Sequence, residues 1–234
     1  MKLNNPFRDL TKFELTLWLV SVVVAIGSFA LSGGGDVLTL IASLIGVTAL
    51  IFIAKGYVLG QVLTVVFAVF YGIISFFFRY YGEMITYLCM TAPIAVMSVI
   101  SWLRHPYEGT KEVEVNTLTK HQLAAMIILS VLTTIAFYFI LSALGNANIL
   151  FSTISITISF LASYLTLFRS PYYALAYAAN DIVLIILWTL AAMENISYLP
   201  MIICFVMFFA NDIYGFYNWR KMQKKQNPLS AMIS

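Results

Sequence analysis

Long apolar stretches alternate with short polar connections along almost the whole chain. About 20 consecutive apolar residues are enough to cross a bilayer as an α-helix. The stretch from 37 to 54 is short for a span, and it lies between a glycine-rich turn, SGGGD, and Lys55. The pattern predicts eight membrane-spanning helices, centred near residues 15–31, 37–54, 58–78, 83–103, 123–144, 149–168, 171–191 and 198–219.

The composition agrees with a chain that lies in lipid. Hydrophobic residues make up 62% of the 234 positions and charged residues 10%, whereas soluble domains have about 45–50% and about 25%. Eight spans use most of the chain, so no sizeable soluble domain is expected. The basic N-terminus followed by an apolar stretch looks like a signal peptide. Because further spans follow at once, we interpret it as an uncleaved first helix.

The lysine and arginine residues predict the orientation, because cytoplasmic loops carry an excess of them. With a cytoplasmic N-terminus and eight spans, only Arg79 falls on the outer side. Both termini are therefore predicted to be cytoplasmic, and the formal charge of +3 does not indicate nucleic-acid binding. The inner side receives twelve basic residues: Lys2, Arg8, Lys12, Lys55, Arg104, Lys111, Lys120, Arg169, Arg220, Lys221, Lys224 and Lys225.

Two segments share a layout of apolar and charged residues, which predicts an internal repeat. IAKGYVLGQVLTVVFAVFYGIISFFFRYYGEMITYLCM and LFRSPYYALAYAANDIVLIILWTLAAMENISYLPMIICF each begin where a helix ends on a basic residue, Lys55 or Arg169. We therefore predict an all-α integral membrane fold with two parallel three-helix units and one connecting helix, a 3+1+3 plan. Its parts are an extra N-terminal helix (1–35), the first unit (36–105), a loop and connecting helix (106–145), the second unit (146–221) and a cytoplasmic tail (222–234).

Residues inside the spans form stripes at three- and four-residue spacing, so each stripe shares one helix face. For the serine-rich stripe we favour helix–helix contact, whereas amides and carboxylates at this depth favour a cavity or pathway. The stripes are Gln61, Thr64, Ala68, Tyr71 and Ser75 in the third span; Ser152, Ser155, Ser159, Ser163 and Thr166 in the sixth; Tyr177, Asn180, Asp181 and Trp188 in the seventh; and Asn211, Tyr214 and Asn218 in the eighth.

Asp181 lies about halfway along its span, where a carboxylate costs about 2.5–3.5 kcal/mol. Three roles remain open for it: attraction of a cationic substrate, transfer of a proton, or a structural hydrogen bond. Asp212 lies nearer the inner end of the eighth span, where water can reach it. Trp102 and Trp219 lie at inner helix ends and fit an interfacial aromatic belt. Pro93 predicts a kink in the fourth span.

The segments YGEMITYLCMTAPIAVMSVISWLRHPYEG, AANDIVLIILW and NDIYGFYNWRKM resemble nicotinamide riboside transporters of the PnuC type. The resemblance implies a SWEET-like fold in a bacterial cytoplasmic membrane. It also implies facilitated diffusion of a vitamin B3 precursor, which a cytoplasmic nucleoside kinase then traps. The substrate-binding residues that it implies are Gln61, Tyr71, Asn180, Trp188, Asn211 and Tyr214.

The seventh span has only Trp188 where the family resemblance leads us to expect several closely spaced tryptophans. Tyr177 or Tyr214 is therefore expected to share the stacking on the substrate ring, and Asp181 to face the positive charge of that ring. Thiamine and riboflavin, which relatives of the family carry, stay open as alternative substrates. Proton-coupled uptake that uses Asp181 is also open.

Proteins of other classes fit the sequence less well. His105 and His121 both fall in the cytoplasmic loop, and no metal-type cluster or nucleophile–base pair indicates an enzyme. No phosphate-binding glycine motif indicates ATP-driven transport. We expect no cofactor, and the sequence leaves open whether the chain forms homo-oligomers. A receptor that binds without transport would be distinguished by a flux assay.

Overall fold

A computed structural model of the protein describes residues 5–31, 37–77, 84–146, 148–194 and 199–227. Some of the sequence predictions concern residues outside these ranges. They are the positions of Lys2 and Arg79, the SGGGD turn, and residues 228–234 of the predicted tail.

The described residues form a short 3-10 helix, Pro6–Asp9, and eight long helices. Seven of the long helices are long and apolar enough to cross a membrane, and the apolar part of the other, Leu40–Ala54, is shorter. We label them α1 (Lys12–Leu31), α2 (Val37–Ala54), α3 (Val58–Phe77), α4 (Thr86–Arg104), α5 (Lys120–Ala143), α6 (Ile149–Leu167), α7 (Tyr173–Glu194) and α8 (Leu199–Gln226). The chain is therefore an all-α membrane protein.

Helix α4 begins with an irregular segment. Thr86–Thr91 is π-helical, and the regular α-helix, Ala92–Arg104, starts only after it, with Pro93 in its first turn. Proline has no N–H to donate and is tolerated in a first turn. The irregular backbone thus lies directly before the position where the sequence predicts a kink.

Six helices pack in a closed ring. Going around it, α2 contacts α3, α3 contacts α4, α4 contacts α6, α6 contacts α7, α7 contacts α8, and α8 returns to α2. The other two helices pack on the outside of this ring, α1 across the junction of α2 and α8, and α5 against α6. The ring therefore contains two sequence-consecutive groups of three helices, α2–α4 and α6–α8.

The turns after α2 and α6 have the same backbone geometry. In the first, Gly56 adopts a φ of 69° and donates its N–H to Ile53 O. In the second, Arg169 adopts a φ of 57° and donates its N–H to Thr166 O. A left-handed residue of this kind is a common way to end a helix, so both groups of three start with a helix that ends in the same manner.

Residues 105–119 connect these two turns at one end of the bundle, which we call the loop end. The Val113 N–H donates to Gly56 O at 2.9 Å, and the Asn116 N–H donates to Arg169 O at 3.0 Å. Val113 and Val115 are buried beside the helix ends. Burial lowers the pKa of the Arg169 guanidinium from its usual value, while the Glu114 carboxylate opposes this effect.

Trp102 and Trp219 also lie at the loop end, but the interfacial-belt interpretation is wrong for both. Their exposed fractions are 1% and 0%, and their rings lie 5.3 Å apart. Each indole N–H donates to a backbone carbonyl of the neighbouring helix in the ring, Trp102 to Thr166 O at 3.0 Å and Trp219 to Ile53 O at 2.8 Å. Inside the bundle, the indole N–H and the backbone carbonyl would each lack a hydrogen-bond partner without this contact. The contact therefore favours the buried position of each tryptophan over a position at the membrane interface.

Candidate functional site

A cavity of about 210 Å³ lies in the middle of the six-helix ring. All six ring helices contribute to its wall, together with Leu141 of α5 and Asn146 after it. Its polar lining includes Gln61, Thr64, Tyr71, Thr86, Tyr87, Thr91, Ser152, Ser155, Ser159, Ser163, Thr166, Tyr177, Asn180, Asp181 and Asp212. Its apolar lining includes Phe67, Leu184, Trp188, Phe205 and Phe208.

The α2–α4 side of the cavity carries an aromatic cluster. The Tyr71 and Tyr87 rings lie 4.5 Å apart, and Phe67 packs against both of them, at 5.6 and 5.8 Å. Gln61 is only 2% exposed, and its Nε2 has no hydrogen-bond partner among the described residues. A buried amide without a partner costs about 1–3 kcal/mol, so this group is suited to a ligand or a water molecule.

The α6–α8 side carries most of the hydrogen-bonding groups. The Ser155 hydroxyl donates to Asn180 Oδ1 at 2.8 Å, which leaves the amide NH₂ of Asn180 to donate into the cavity. The Ser163 and Tyr177 hydroxyls lie 3.0 Å apart in a second hydrogen bond between α6 and α7. The serine stripe of α6 therefore makes the interhelical contacts that its composition suggested, and it also lines the cavity.

Two carboxyl groups meet in this wall. Asp181 of α7 and Asp212 of α8 both line the cavity and are each 5% exposed. Sequence reasoning placed Asp212 near water instead of in the cavity. A signal was present, since Phe205, Phe208 and Asp212 are spaced as residues of one helix face and all three line the cavity.

Six of the eight predicted site residues line the cavity: Gln61, Tyr71, Tyr177, Asn180, Asp181 and Trp188. Asn211 and Tyr214 do not. Asn211 Nδ2 donates to Ser21 Oγ at 2.9 Å, and the Tyr214 hydroxyl donates to Glu14 Oε1 at 2.7 Å. Their face of α8 packs on α1, because α1 supplies buried polar partners that the sequence pattern of α8 cannot show. The structure therefore places these two side chains in the contact with α1, outside the described cavity lining.

The contact with α1 includes a buried ion pair. Glu14 is 2% exposed and lies 3.0 Å from Lys55 Nζ. It also accepts the Thr11 N–H at 2.6 Å. Farther along α1, Trp18 Nε1 donates to Thr48 Oγ1 at 3.1 Å. These contacts attach α1 to α2 and α8, outside the cavity.

The cavity ends near the tryptophan pair. Ile53 and Thr166, whose carbonyls bind Trp219 and Trp102, are themselves lining residues. A second void of about 10 Å³ adjoins this end and is lined by Gln61, Thr64, Ser98 and other polar residues. Its size is close to that of one water molecule. The loop end of the bundle is therefore closed below the cavity.

The charges of the cavity have one sign. Among the described lining residues, Asp181 and Asp212 are the charged types, and none is lysine, arginine or histidine. The described residues also contain no cluster of His, Cys, Asp and Glu that could hold a metal ion. The arrangement offers negative charge, amide and hydroxyl groups, and aromatic faces to an occupant.

A membrane-embedded ring of helices around a polar and aromatic cavity defines a multi-pass transporter. The family comparison specifies which one: the model of the nicotinamide mononucleotide transporter family matches residues 36–221, so the chain belongs to this family. The matched range includes α2–α8 up to residue 221 and does not include α1.

Two relatives and one solved structure agree with this assignment. The sequence is 27% identical over 192 residues to the nicotinamide riboside transporter PnuC of Neisseria mucosa, over 80% of this chain and 73% of that protein. It is 23% identical to the PnuC protein of Haemophilus influenzae, over 92% of both chains. The fold matches the crystal structure of the vitamin B3 transporter PnuC with a TM-score of 0.77 and 25% identity, over 93% of this chain and 94% of that one.

Proposed function

We propose that the protein transports nicotinamide riboside across the bacterial cytoplasmic membrane by facilitated diffusion. The family model is described by the mononucleotide and the relatives are named for the riboside. These two compounds differ by a phosphate group, so the charge of the cavity bears on the choice between them.

The observation that carries the proposal is the cavity with two carboxyl groups and no cationic side chain among its described lining residues. Proteins bind phosphate with arginine, lysine or helix N-termini, and a mononucleotide would bring its phosphate close to Asp181 and Asp212. Nicotinamide riboside has a positively charged aromatic ring, which carboxyl groups and aromatic faces attract. Its carboxamide and ribose hydroxyls match the amides of Gln61 and Asn180.

The packing of the helices supports alternating access between two three-helix units. The unit α2–α4 and the unit α6–α8 close one ring, and α5 connects them on the outside. Transporters built from such repeats bind substrate at the interface of the units and rock one unit against the other. We propose the SWEET-like 3+1+3 plan with eight spans for this chain, with α1 as an additional helix.

The loop end is proposed to face the cytoplasm, as are both termini. Lys55, Arg104, Arg169 and Lys225 all lie at or near this end, and cytoplasmic segments are enriched in basic residues. With this orientation, substrate that enters is delivered to a cytoplasmic nucleoside kinase. Phosphorylation would then trap it, because the cavity disfavours phosphate.

Thiamine, riboflavin and proton-coupled uptake are the competing possibilities. Thiamine is also a flat cation, and Asp181 offers a group that can carry a proton. The cavity does not separate the two cations by charge, so only competition between substrates can do so.

The test is uptake of labelled nicotinamide riboside into sealed proteoliposomes without an ion gradient. Equilibrating uptake that excess unlabelled riboside blocks, and that mononucleotide, thiamine and riboflavin do not block, is the expected result. Asn180→Ala should slow this uptake, whereas Thr189→Ala, an exposed position on the same helix, should not. Stronger competition by thiamine or riboflavin would assign that substrate, and uptake that requires a proton gradient would contradict facilitated diffusion.

A further inference from the structure

The carboxyl groups of Asp181 and Asp212 form a pair that the proposed transport does not by itself explain. They belong to adjacent helices, α7 and α8, they line the same cavity close enough to interact electrostatically, and each is more than nine-tenths buried. Asp181 Oδ2 is buried and receives no hydrogen bond from any described residue. Gln61 Nε2, in the same cavity, also has no partner among the described residues. The cavity therefore contains an unused acceptor and an unused donor.

Two ionised carboxylates cannot remain in contact in a site of low dielectric constant, because each has lost hydration and they repel each other. One proton between them removes the repulsion and supplies the hydrogen-bond donor that the contact requires. The alternative neutralising group would be a cationic side chain. None of the described residues that line the cavity is cationic.

The other titratable groups near the pair are tyrosines or have separate partners. On α7, the Tyr177 hydroxyl is paired with Ser163, and Tyr173 packs against Trp219. On α3 and α4, the Tyr71 and Tyr87 rings pack against each other at a tilt in the opposite wall.

The charged and titratable groups of the remaining helices near the pair are also engaged elsewhere. Glu14 of α1, Lys55 after α2 and Tyr214 of α8 bind one another outside the cavity. On α6, the Tyr164 hydroxyl donates to Gln122 O. The carboxyl pair thus determines the charge of the empty cavity.

We propose that Asp181 and Asp212 form a proton-exchange site, which holds one proton between the two carboxyl groups when the cavity is empty and releases it when a cationic substrate binds. The proposal rests on the proposed function for its substrate. On binding, the O–H bond of the protonated carboxyl breaks and the proton passes to water. The pair then has two negative charges beside the positive ring, so the total charge of the site does not change.

The exchange has a consequence for affinity. A proton and the cationic substrate compete for the same pair, so affinity should fall as the pH is lowered. A substrate without positive charge should bind without releasing a proton, because nothing would then stabilise the second carboxylate.

The test is calorimetric titration of the purified full-length protein with nicotinamide riboside in buffers of different ionisation heat at one pH. The expected release is about one proton per bound substrate. In Asp212→Asn and Asp181→Asn, the amide NH₂ can donate to the remaining carboxylate, which then stays ionised with or without substrate. Both variants should bind with no proton release. Thr189→Ala, which lies outside the cavity, should release protons like the wild type.

Infrared spectroscopy of the substrate-free protein tests the pair independently of binding. The wild type should show the C=O absorbance of a protonated carboxyl group, which disappears on raising the pH and is missing in both variants. Absence of this band from the wild type, or its persistence in both variants, would overturn the proposal. Binding without proton release, in which the measured heat is the same in all buffers, would also overturn it. Binding that requires sodium ions would do the same. A protein that shows the band but neither binds nor transports nicotinamide riboside would contradict the proposed function and leave the proton site in place.

Discussion

The units α2–α4 and α6–α8 can be compared position by position from their loop ends. Trp102 near the end of α4 and Trp219 in the last third of α8 make equivalent crossed hydrogen bonds, each to the first helix of the other unit. The residue before each tryptophan repeats the pattern, since Ser101 donates to Leu167 O and Asn218 to Ala54 O. At this end the two units are closely similar.

Halfway along the helices the same comparison shows a difference. Ala68 lies as many residues after Gly56 as Asp181 lies after Arg169, and Ala95 lies as many before Trp102 as Asp212 lies before Trp219. Both carboxyl groups of the second unit thus correspond to buried alanines in the first. The hydrogen bonds of the two units correspond at the loop end, whereas both carboxyl groups of the cavity belong to one unit.

The largest expected effects come from the tryptophans that make the loop ends equivalent. Replacement of a buried tryptophan by alanine removes a large packed ring and leaves a carbonyl without its partner, which costs about 3–5 kcal/mol. Trp102→Ala and Trp219→Ala should therefore lower the free energy of unfolding by similar amounts. Trp→Phe at either position should cost less, about 1–3 kcal/mol, since the hydrogen bond is lost but much of the aromatic packing is kept.

Denaturant unfolding in detergent measures these values, with Phe139→Ala on the exposed face of α5 as the control. A large loss for one tryptophan and none for the other would show that the two ends are not equivalent.

A second comparison concerns the two junctions between the units. Helix α1 covers the α2–α8 junction and not the α4–α6 junction. Lys55→Met removes the counter-charge of the buried Glu14, and an isolated buried charge costs about 3 kcal/mol. Lys225→Met breaks an exposed pair with Glu112 and should cost less than about 1 kcal/mol. Thermal unfolding of both variants measures the two losses of stability. Equal losses would show that the buried pair between α1 and Lys55 stabilises the fold no more than an exposed pair.

Asn180 on α7 and Asn211 on α8 allow the cavity and the α1 contact to be tested separately, because the first lines the cavity and the second contacts α1. Asn180→Ala should weaken binding of nicotinamide riboside by about 5- to 30-fold, because about 1–2 kcal/mol of hydrogen bonding is lost. Asn211→Ala should leave this affinity within about 3-fold and instead reduce stability, since it loses the contact with Ser21. Calorimetric binding and unfolding measured on the same preparations separate the two effects. A larger loss of affinity for Asn211→Ala would return that residue to the binding site.

The smallest expected effect is at the turns that end α2 and α6. Alanine at Gly56 would have a strained positive φ, which costs about 1–2 kcal/mol, and its Cβ would lie 2.6 Å from Met222 Cε, at the end of an unbranched side chain. Arg169→Gly relieves the same strain in the other turn but loses hydrogen bonds to Ser101 and His105. We expect Gly56→Ala to lower the unfolding temperature and Arg169→Gly to change it less. A larger change in unfolding temperature for Arg169→Gly would show that the two turns contribute to stability in different ways.

Much of the fold could be predicted because apolar length and basic ends are local properties of the chain. The cavity-lining faces of α3 and α7 could also be predicted, since Gln61, Tyr71 and Asp181 have polar groups that lipid cannot satisfy. The cavity-lining face of α8 could not be predicted in this way. Helical spacing shows that Asn211 and Tyr214 share a face, but the residues that cover this face, Ser21 and Glu14, lie at the other end of the sequence.

The tryptophans were misjudged for the same reason. An indole near a helix end fits a membrane interface, and nothing in the local sequence of Trp219 indicates that Ile53 O will accept its N–H. Contacts between the two units determine the position of Trp219, and these contacts can be known only from the folded structure.

The π-helical start of α4 determines which of its side chains face the cavity. A π-helical turn contains one residue more than the regular helix on either side, and each residue of an α-helix advances the chain by about 100° around the axis. If Thr86–Thr91 tightened to a regular α-helix, the chain before it would rotate by about that angle relative to Ala92–Arg104. Tyr87 would then move away from the Tyr71 ring and out of the cavity. A shift of a single residue in the backbone would therefore change which side chains an occupant contacts.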